Sequence, residues 1–452
     1  MTNQFNNKFK YIFFIGIGGI GMSGLAELMI DEGCKVSGSD TKASHITQKL
    51  EKLGANVFIG HDENNITDDI DLVVYTSAIS DDNPEFIKAN NLNINVMDRA
   101  EFLGFIMKYY THSICVSGTH GKTTTTGMLS SVLLESEAKP TIFLGGEMDS
   151  LGGNFKLGSN NLLLTEACEY KRNFLKFNPT MEIILNVDKD HLDYYKDLED
   201  IQNAFSEFAK LLPEDGFLIA NIQNKNLFNN AKCNFLTFGL NDEADYYPSE
   251  INYFPTPSYV LMHKGKKIAD ISLQVYGDHN ILNSIAVATA CIMLNIDIET
   301  IQKGISKFKG AHRRYEYKGK YKGAVLIDDY AHHPTEMKTS LNTAKAYSKG
   351  KIITVFQPHT YTRTMSLLHE FADALKLSDI SILLDIYAAR EKDTGIIHST
   401  DLLNKMNDNS SKGYYANNFE EAADLIKKFV HDGDTIITMG AGSVNEVMNF
   451  LN

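Results

Sequence analysis

Two glycine-rich loops constrain this chain more than any other feature. Gly16-Ile-Gly18-Gly19-Ile-Gly21 and Gly118-Thr119-His120-Gly121-Lys122-Thr123 each follow a short apolar run and open a helical pattern. A glycine turn between strand and helix aims backbone N–H groups and a helix N-terminus at one point, which favours an anion. Such turns belong to parallel α/β sheets, where ligands lie beyond the carboxyl ends of the strands. Two of them predict two phosphate sites in one chain.

Around these loops, β-rich runs alternate with helical patterns over 452 residues, a length that suits about three domains at roughly 150 residues each. The first unit, 1–108, carries strands at Tyr11–Ile15, Lys35–Gly38 and Leu72–Tyr75 and a helix at Met22–Glu32. The second, 109–314, carries strands His112–Val116, Leu162–Thr165 and Glu182–Val187 and a helix at Thr124–Leu134. It adds β structure between Phe235 and Tyr276 and a small-residue helix at Asp278–Leu294. The third, 315–452, reads as a doubly wound sheet. Its strands are Ala324–Asp328, Ile352–Phe356, Ile380–Asp385 and Thr435–Met439, and its helices Pro334–Tyr347, Thr364–Lys376 and Glu420–Val430. The expected fold class is α/β in three domains: Rossmann-like, central P-loop ATPase-type, and Rossmann-like again.

Charge and cysteine usage exclude several classes. Lys and Arg number 43 against 57 Asp and Glu, a net charge of −14. Nucleic acid and acidic membranes are held by excess Lys and Arg, so neither is an expected partner. A small anionic substrate needs only local positive charge. Tyr11–Ala26 is uncharged, but its 16 residues are crowded with glycine, short of the ~20 a membrane span needs, and no small-residue cleavage site follows. The five cysteines are scattered without a CxxC pair, which points to a reducing, cytoplasmic setting.

The first loop fits GxGxxG, and Asp40 follows Gly21 by 19 residues at the end of the second strand. There a carboxylate can accept from ribose hydroxyls. The motif does not distinguish NAD, FAD and a UDP-sugar, all of which offer a pyrophosphate. The second loop is one residue shorter than the usual P-loop, with Val116 where a glycine would stand. Its Gly121-Lys122-Thr123 end is intact: backbone N–H groups cradle phosphates, Lys122 bridges them and Thr123 can ligate Mg²⁺. This implies ATP or GTP chemistry. Glu166 and the Asp188–Asp193 segment with His191 each end a strand, and should converge on the same mouth. Oxygen ligands with one imidazole suit Mg²⁺ or Mn²⁺. Asn280 and Asn283 share one helix face, where carboxamides can meet a purine edge. Arg313-Arg314 and Asp328–Pro334 flank the entry to the third unit, and a paired arginine can neutralise a transferring phosphoryl group.

Taken together these residues resemble the Mur ligases, ATP-dependent amide-forming enzymes of peptidoglycan synthesis. The likeness covers nearly the whole chain. It is carried by GIGGIGMSGLAEL from Gly16, SGSD ending at Asp40, GTHGKTTTT from Gly118, DHLDYY from Asp190, GDHNILN from Gly277, Arg313-Arg314, DDYAHHPTE from Asp328 and FQPHTYTRT from Phe356. The resemblance implies a UDP-sugar domain, an ATPase domain and a C-terminal domain. It implies that ATP phosphorylates the carboxylate of UDP-N-acetylmuramic acid, and that the amine of L-alanine attacks the acyl phosphate.

By the same resemblance, Gly18, Gly19, Gly21, Ser39, Asp40, Ser77 and Arg99 hold the UDP-sugar. Gly118, Thr119, His120, Gly121, Lys122, Thr123 and Thr124, with Asn280, Asn283, Arg314 and Asp329, hold ATP. Thr123, Glu166 and His191 hold Mg²⁺. Tyr330, His332, His359 and Arg363 line the alanine and muramoyl region, and Lys122, His191, Arg314 and His332 serve catalysis. Two departures stand out. The family often has Glu-Ala-Asp-Glu where this chain has Glu166-Ala-Cys168-Glu169, so Glu169 is the candidate second acid. Thr360 replaces the first arginine of QPHRYTR, with Arg390 the candidate substitute. No counterpart of the carbamoylated lysine of some relatives is identified. The rival readings are a murein peptide ligase, which attaches a recycled tripeptide to the same sugar, and a P-loop regulator that binds NAD at the first loop.

Overall fold

The computed structural model describes residues 5, 7–76, 79–192, 194–389, 391–407 and 412–451. They form three sheets in series. The first is all parallel, in the order β3-β2-β1-β4-β5. Its strands are β1 Tyr11–Ile15, β2 Lys35–Asp40, β3 Asn56–Ile59, β4 Leu72–Tyr75 and β5 Asn95–Asp98. Every residue of β1 is buried, as an unbroken apolar run in a sheet covered on both faces must be. The strand order turns at β1, which places the first glycine loop at the switch point.

The second sheet has ten strands. They are β6 His112–Ser117, β7 Thr141–Met148, β8 Gly153–Lys156, β9 Leu162–Ala167, β10 Met181–Ile184, β11 Phe217–Asn221, β12 Asn234–Phe238, β13 Tyr246–Asn252, β14 Ser258–His263 and β15 Lys266–Ser272. Their order is β15-β14-β13-β12-β11-β10-β6-β9-β7-β8. β6, which feeds the second glycine loop, lies between β9 and β10. The added β structure is the antiparallel run β13–β14–β15.

The third sheet comprises β16 Glu316–Tyr321, β17 Ala324–Asp329, β18 Ile352–Phe356, β19 Ile380–Leu383, β20 Gly413–Tyr415 and β21 Thr435–Met439. The order is β16-β17-β21-β18-β19-β20, antiparallel only at β16. The architecture is thus α/β in three parts.

Two local expectations shift. The strand expected at Glu182–Val187 stops at Ile184. Beyond it Asn186 turns to the glycine loop, accepting from the His120 N–H at 2.8 Å and donating to the His120 carbonyl at 3.0 Å. The helix expected at Thr364–Lys376 breaks at Leu367, whose φ of −117° and ψ of 23° leave the helical region. β3, β5, β16 and β20 are too short or too exposed for a periodicity to reveal.

The first two sheets share one core. A single apolar cluster runs from Phe14, Phe102 and Ile106 into Phe174, Phe205 and Phe208. At the seam, a Cβ added to Gly104 would overlap the Lys176 carbonyl oxygen, and Asn178 donates to the Gly104 carbonyl at 2.9 Å. Gly104→Ala must push the domains apart. The expected loss is ~1–3 kcal/mol, read as a lower thermal midpoint with phosphate-site ligand binding retained.

Among the described residues no helix is long and apolar enough to cross a membrane. None of the five cysteines is paired.

Candidate active site

The second glycine loop ends in Gly121, the residue before the helix Lys122–Glu135. Its φ of +88° belongs to glycine. A Cβ there would press on Leu185 and, at 3.3 Å, on Asn283 Oδ1, so the Asp278–Met293 helix abuts the loop. Asn280 and Asn283 are buried, with Asn283 donating to Asn280 at 3.3 Å. The geometry leaves a helix N-terminus open at the floor of a cleft of about 680 Å³.

Lys122 reaches back over the loop. Its ammonium donates to the Gly118 carbonyl at 2.5 Å, to the Thr119 carbonyl at 3.1 Å and to both Glu169 oxygens at 2.9 and 3.2 Å. Burial opposes its charge, but the Glu169 carboxylate beside it outweighs burial and holds the pKa above the ordinary lysine value. Glu169 is 2% exposed, so Lys122 is its neutralising partner. The Thr123 hydroxyl donates to Glu166 at 3.0 Å, and the Gly145 N–H donates to the other Glu166 oxygen at 2.6 Å. His191, with φ +54°, packs on Tyr170 and points Nε2 toward Glu169 and Asp190 at 3.9 and 3.8 Å.

The third domain closes the cleft from above. Of the arginine pair, only Arg314 faces it, donating to Thr123 Oγ1 at 3.4 Å and lying 4.8 Å over the Tyr330 ring. Arg313 turns inward to Asp328 and to the carbonyls of Gly440 and Gly442. Asp329 accepts from the Ser340 hydroxyl and the Ala331 N–H, and burial pushes its pKa up to about 6. His332 Nδ1 lies 2.9 Å from the Tyr330 carbonyl, and burial holds its pKa down. Arg363 donates to Asp190 at 3.1 Å and meets His359 Nδ1 at 3.1 Å. Burial would raise the Asp190 carboxyl, yet the Arg363 charge holds it well below the usual range.

Glu336 joins the domains. It lies 3.1 Å from His120 Nδ1 and accepts from the His332 and His333 N–H groups at 3.0 and 3.2 Å. Thr335 donates to Asp188 at 3.0 Å. Sequence reasoning missed Glu336 and Asn186 as site residues. Glu336 stands three residues past His333, the spacing of a helix capping box, and that signal was available.

The expected phosphate-site residues from Thr119 to Thr124, with Glu166, His191, Asn280, Asn283, Arg314, Asp329, Tyr330 and His332, all line this cleft. Gly118 lies just beneath, with φ +136°, and His359 and Arg363 sit at its far edge through the His332–His359 contact at 5.5 Å.

The first glycine loop lies outside this cleft. Gly16 takes φ +81°, and Gly21 packs beside the Arg99 guanidinium. Asp40 accepts from the Gly18 N–H at 2.9 Å, so one of its oxygens shapes the loop itself. The Ser39 side chain is buried and donates to Glu85 at 2.6 Å, with His61 at 3.0 Å. Ser77, Asp193 and Arg390 lie outside the described residues. Glu169 is committed to Lys122. Thr360 takes φ +66° and donates its N–H to the Tyr387 carbonyl at 2.9 Å.

The fold and the site define a three-domain enzyme that uses a P-loop between two domains. Residues 11–111 match the Mur ligase family catalytic domain, 116–291 the Mur ligase middle domain and 313–442 the Mur ligase glutamate ligase domain. The chain belongs to the Mur ligase family. It is 49% identical over 98% of its length to the UDP-N-acetylmuramate–L-alanine ligase of Acetivibrio thermocellus, covering 95% of that protein. The crystal structure of the Thermotoga maritima UDP-N-acetylmuramate–alanine ligase superposes with a TM-score of 0.82 at 29% identity, covering 98% of both chains. A murein peptide ligase from Psychrobacter arcticus shares the fold, with a TM-score of 0.73 at 22% identity over 98% of both chains.

Proposed function

We propose that this enzyme joins L-alanine to the lactyl carboxylate of UDP-N-acetylmuramic acid, converting ATP to ADP and phosphate. The observation that carries the reading is the Lys122 P-loop facing Arg314, His332 and Arg363 across one cleft. Identity of 49% to an L-alanine ligase over nearly the full chain supports the substrate.

A carboxylate is a poor acyl donor, and phosphorylation supplies a leaving group. The carboxylate oxygen bonds to the γ-phosphorus of ATP as ADP departs. Lys122 and Arg314 then face the negative charge that spreads over the transferring group. Thr123 and Glu166 present two oxygens 3.0 Å apart, a donor set that fits Mg²⁺ beside phosphates, with His191 at a second position. When bound, Mg²⁺ neutralises phosphate charge. The amine of L-alanine attacks the acyl carbon, the C–N bond forms and phosphate leaves with the old C–O pair. Burial holds His332 neutral. With its Nδ1–H on the Tyr330 carbonyl, Nε2 keeps a lone pair for the amine proton. Arg363 takes the alanine carboxylate. Asn280 and Asn283 face the base side of ATP, and the first loop with Asp40 and Arg99 holds UDP. These substrates place the enzyme in the cytoplasm.

Two measurements test this reading. Phosphate release from ATP and Mg²⁺ should require both UDP-N-acetylmuramic acid and L-alanine; release indifferent to the UDP-sugar sinks the ligase reading. Arg363→Lys replaces a fork by a point charge. It should raise the KM for L-alanine at least ~10-fold, about 1.4 kcal/mol, with the KM for ATP little changed. Equal changes in both would remove Arg363 from the amino-acid site.

A further inference from the structure

We propose that His120, Asp188 and His333 form a transition-metal site of the Zn²⁺ class, distinct from the Mg²⁺ position, that fastens the third domain to the P-loop. One ring nitrogen of each histidine and one Asp188 oxygen lie within 4.8 Å of one another. Two further observations point to a ligand there. His120 Nε2 and His333 Nε2 are both buried without a hydrogen-bond partner, and His333 is only 4% exposed. An orphaned buried ring nitrogen is costly; two of them beside a carboxylate are satisfied together by one cation.

The surroundings match what a metal-bound imidazole requires. His120 offers Nε2, 3.6 Å from Asp188 Oδ2, while its other nitrogen faces Glu336 at 3.1 Å. A carboxylate behind a ligating histidine fixes the ring and strengthens it as a donor. Two imidazoles and one carboxylate suit Zn²⁺, leaving a fourth position for water. They do not suit Mg²⁺, which selects oxygen. Without metal, burial disfavours an imidazolium at His120, but the Asp188 and Glu336 carboxylates beside it push its pKa up to about 9. Zn²⁺ replaces that proton with a larger charge on the same partners. His333 Nδ1 accepts the Thr335 N–H at 3.3 Å. Coordination through Nε2 moves the ring proton to Nδ1 and gives up this long hydrogen bond. The ligand atoms must also draw together, which the loop after β10 and the start of helix Pro334–Tyr347 can supply.

Because His120 and Asp188 come from the central domain and His333 from the third, the ion locks the cleft shut. Zn²⁺ therefore slows turnover, and excess Mg²⁺ does not relieve the effect.

The test uses the full chain stripped with EDTA and titrated with Co²⁺. One equivalent should develop the visible d–d bands of a tetrahedral site, without a sulfur-to-cobalt charge-transfer band. Zn²⁺ should displace it. His333→Asn keeps a side chain able to cap the helix. It should lose the bands and weaken Zn²⁺ at least ~100-fold, and Glu336→Gln should weaken it roughly 10–100-fold. A charge-transfer band would put the metal on Cys168, and bands unchanged in His333→Asn would put it elsewhere. Either result, or no uptake at all, overturns the proposal. Should the variants fail to fold, anomalous scattering at the zinc edge from wild-type crystals soaked in Zn²⁺ decides it: a peak between His120 and His333 supports the site, and a peak elsewhere overturns it.

Discussion

Lys122→Met is expected to reduce ATP-dependent phosphate release by at least ~10³-fold and, separately, to cost about 3–5 kcal/mol of stability. The two losses have different causes. Activity falls because no other described cation lies within hydrogen-bond reach of the glycine-loop carbonyls that Lys122 spans. Stability falls because Glu169, 2% exposed, is left as a buried carboxylate without its partner. Lys122→Met with Glu169→Gln separates them. The neutral amide removes the stranded charge, so the thermal midpoint returns most of the way while phosphate release stays lost. Recovery of release together with stability would mean that the lysine holds the fold and not the phosphate.

The second large effect concerns Glu182, in the middle of β10. Its register neighbours are Cys115 on β6 and Leu218 on β11. Both carboxyl oxygens are buried with no partner, and burial alone drives the pKa well above the ordinary value. In the folded chain this carboxyl is therefore held neutral. In the unfolded chain it ionises near pH ~4.3. An acid whose folded pKa is raised contributes its full stability below the unfolded value. That contribution is lost progressively as pH rises toward the folded value. At neutral pH the expected penalty is about 3 kcal/mol, the upper end for a buried polar group left without a partner. Glu182→Met fills the space without an ionisable group. It should raise the thermal midpoint of the central domain by on the order of 8 °C at neutral pH, and by almost nothing near pH ~4. A gain independent of pH would show that packing, and not the proton, governs the position.

Much of this was readable along the chain. β1, β18 and β21 are apolar runs buried at every residue, and such runs bounded by turns announce a parallel sheet before any contact is known. The glycine loops were readable because local turn geometry alone holds their backbone N–H groups in place. Thr123 and Glu166 converge as expected, since Val116 on β6 pairs with Glu166 on β9 and both strands end at one mouth. Arg313 and Arg314 were indistinguishable as letters. Arg313, at positive φ, turns its guanidinium to the Gly440 and Gly442 carbonyls, while Arg314 reaches Thr123 in the cleft.

The sequence by itself determined the α/β class, the two loops and the residue types around the second loop, because each depends on contacts within a few residues. Only the tertiary structure decided that Glu169 belongs to Lys122, that Asp190 belongs to Arg363, and that Glu336 joins His120 to the third domain. Those partners are far apart along the chain. Each pairing exists because burial makes an isolated charge too costly to keep.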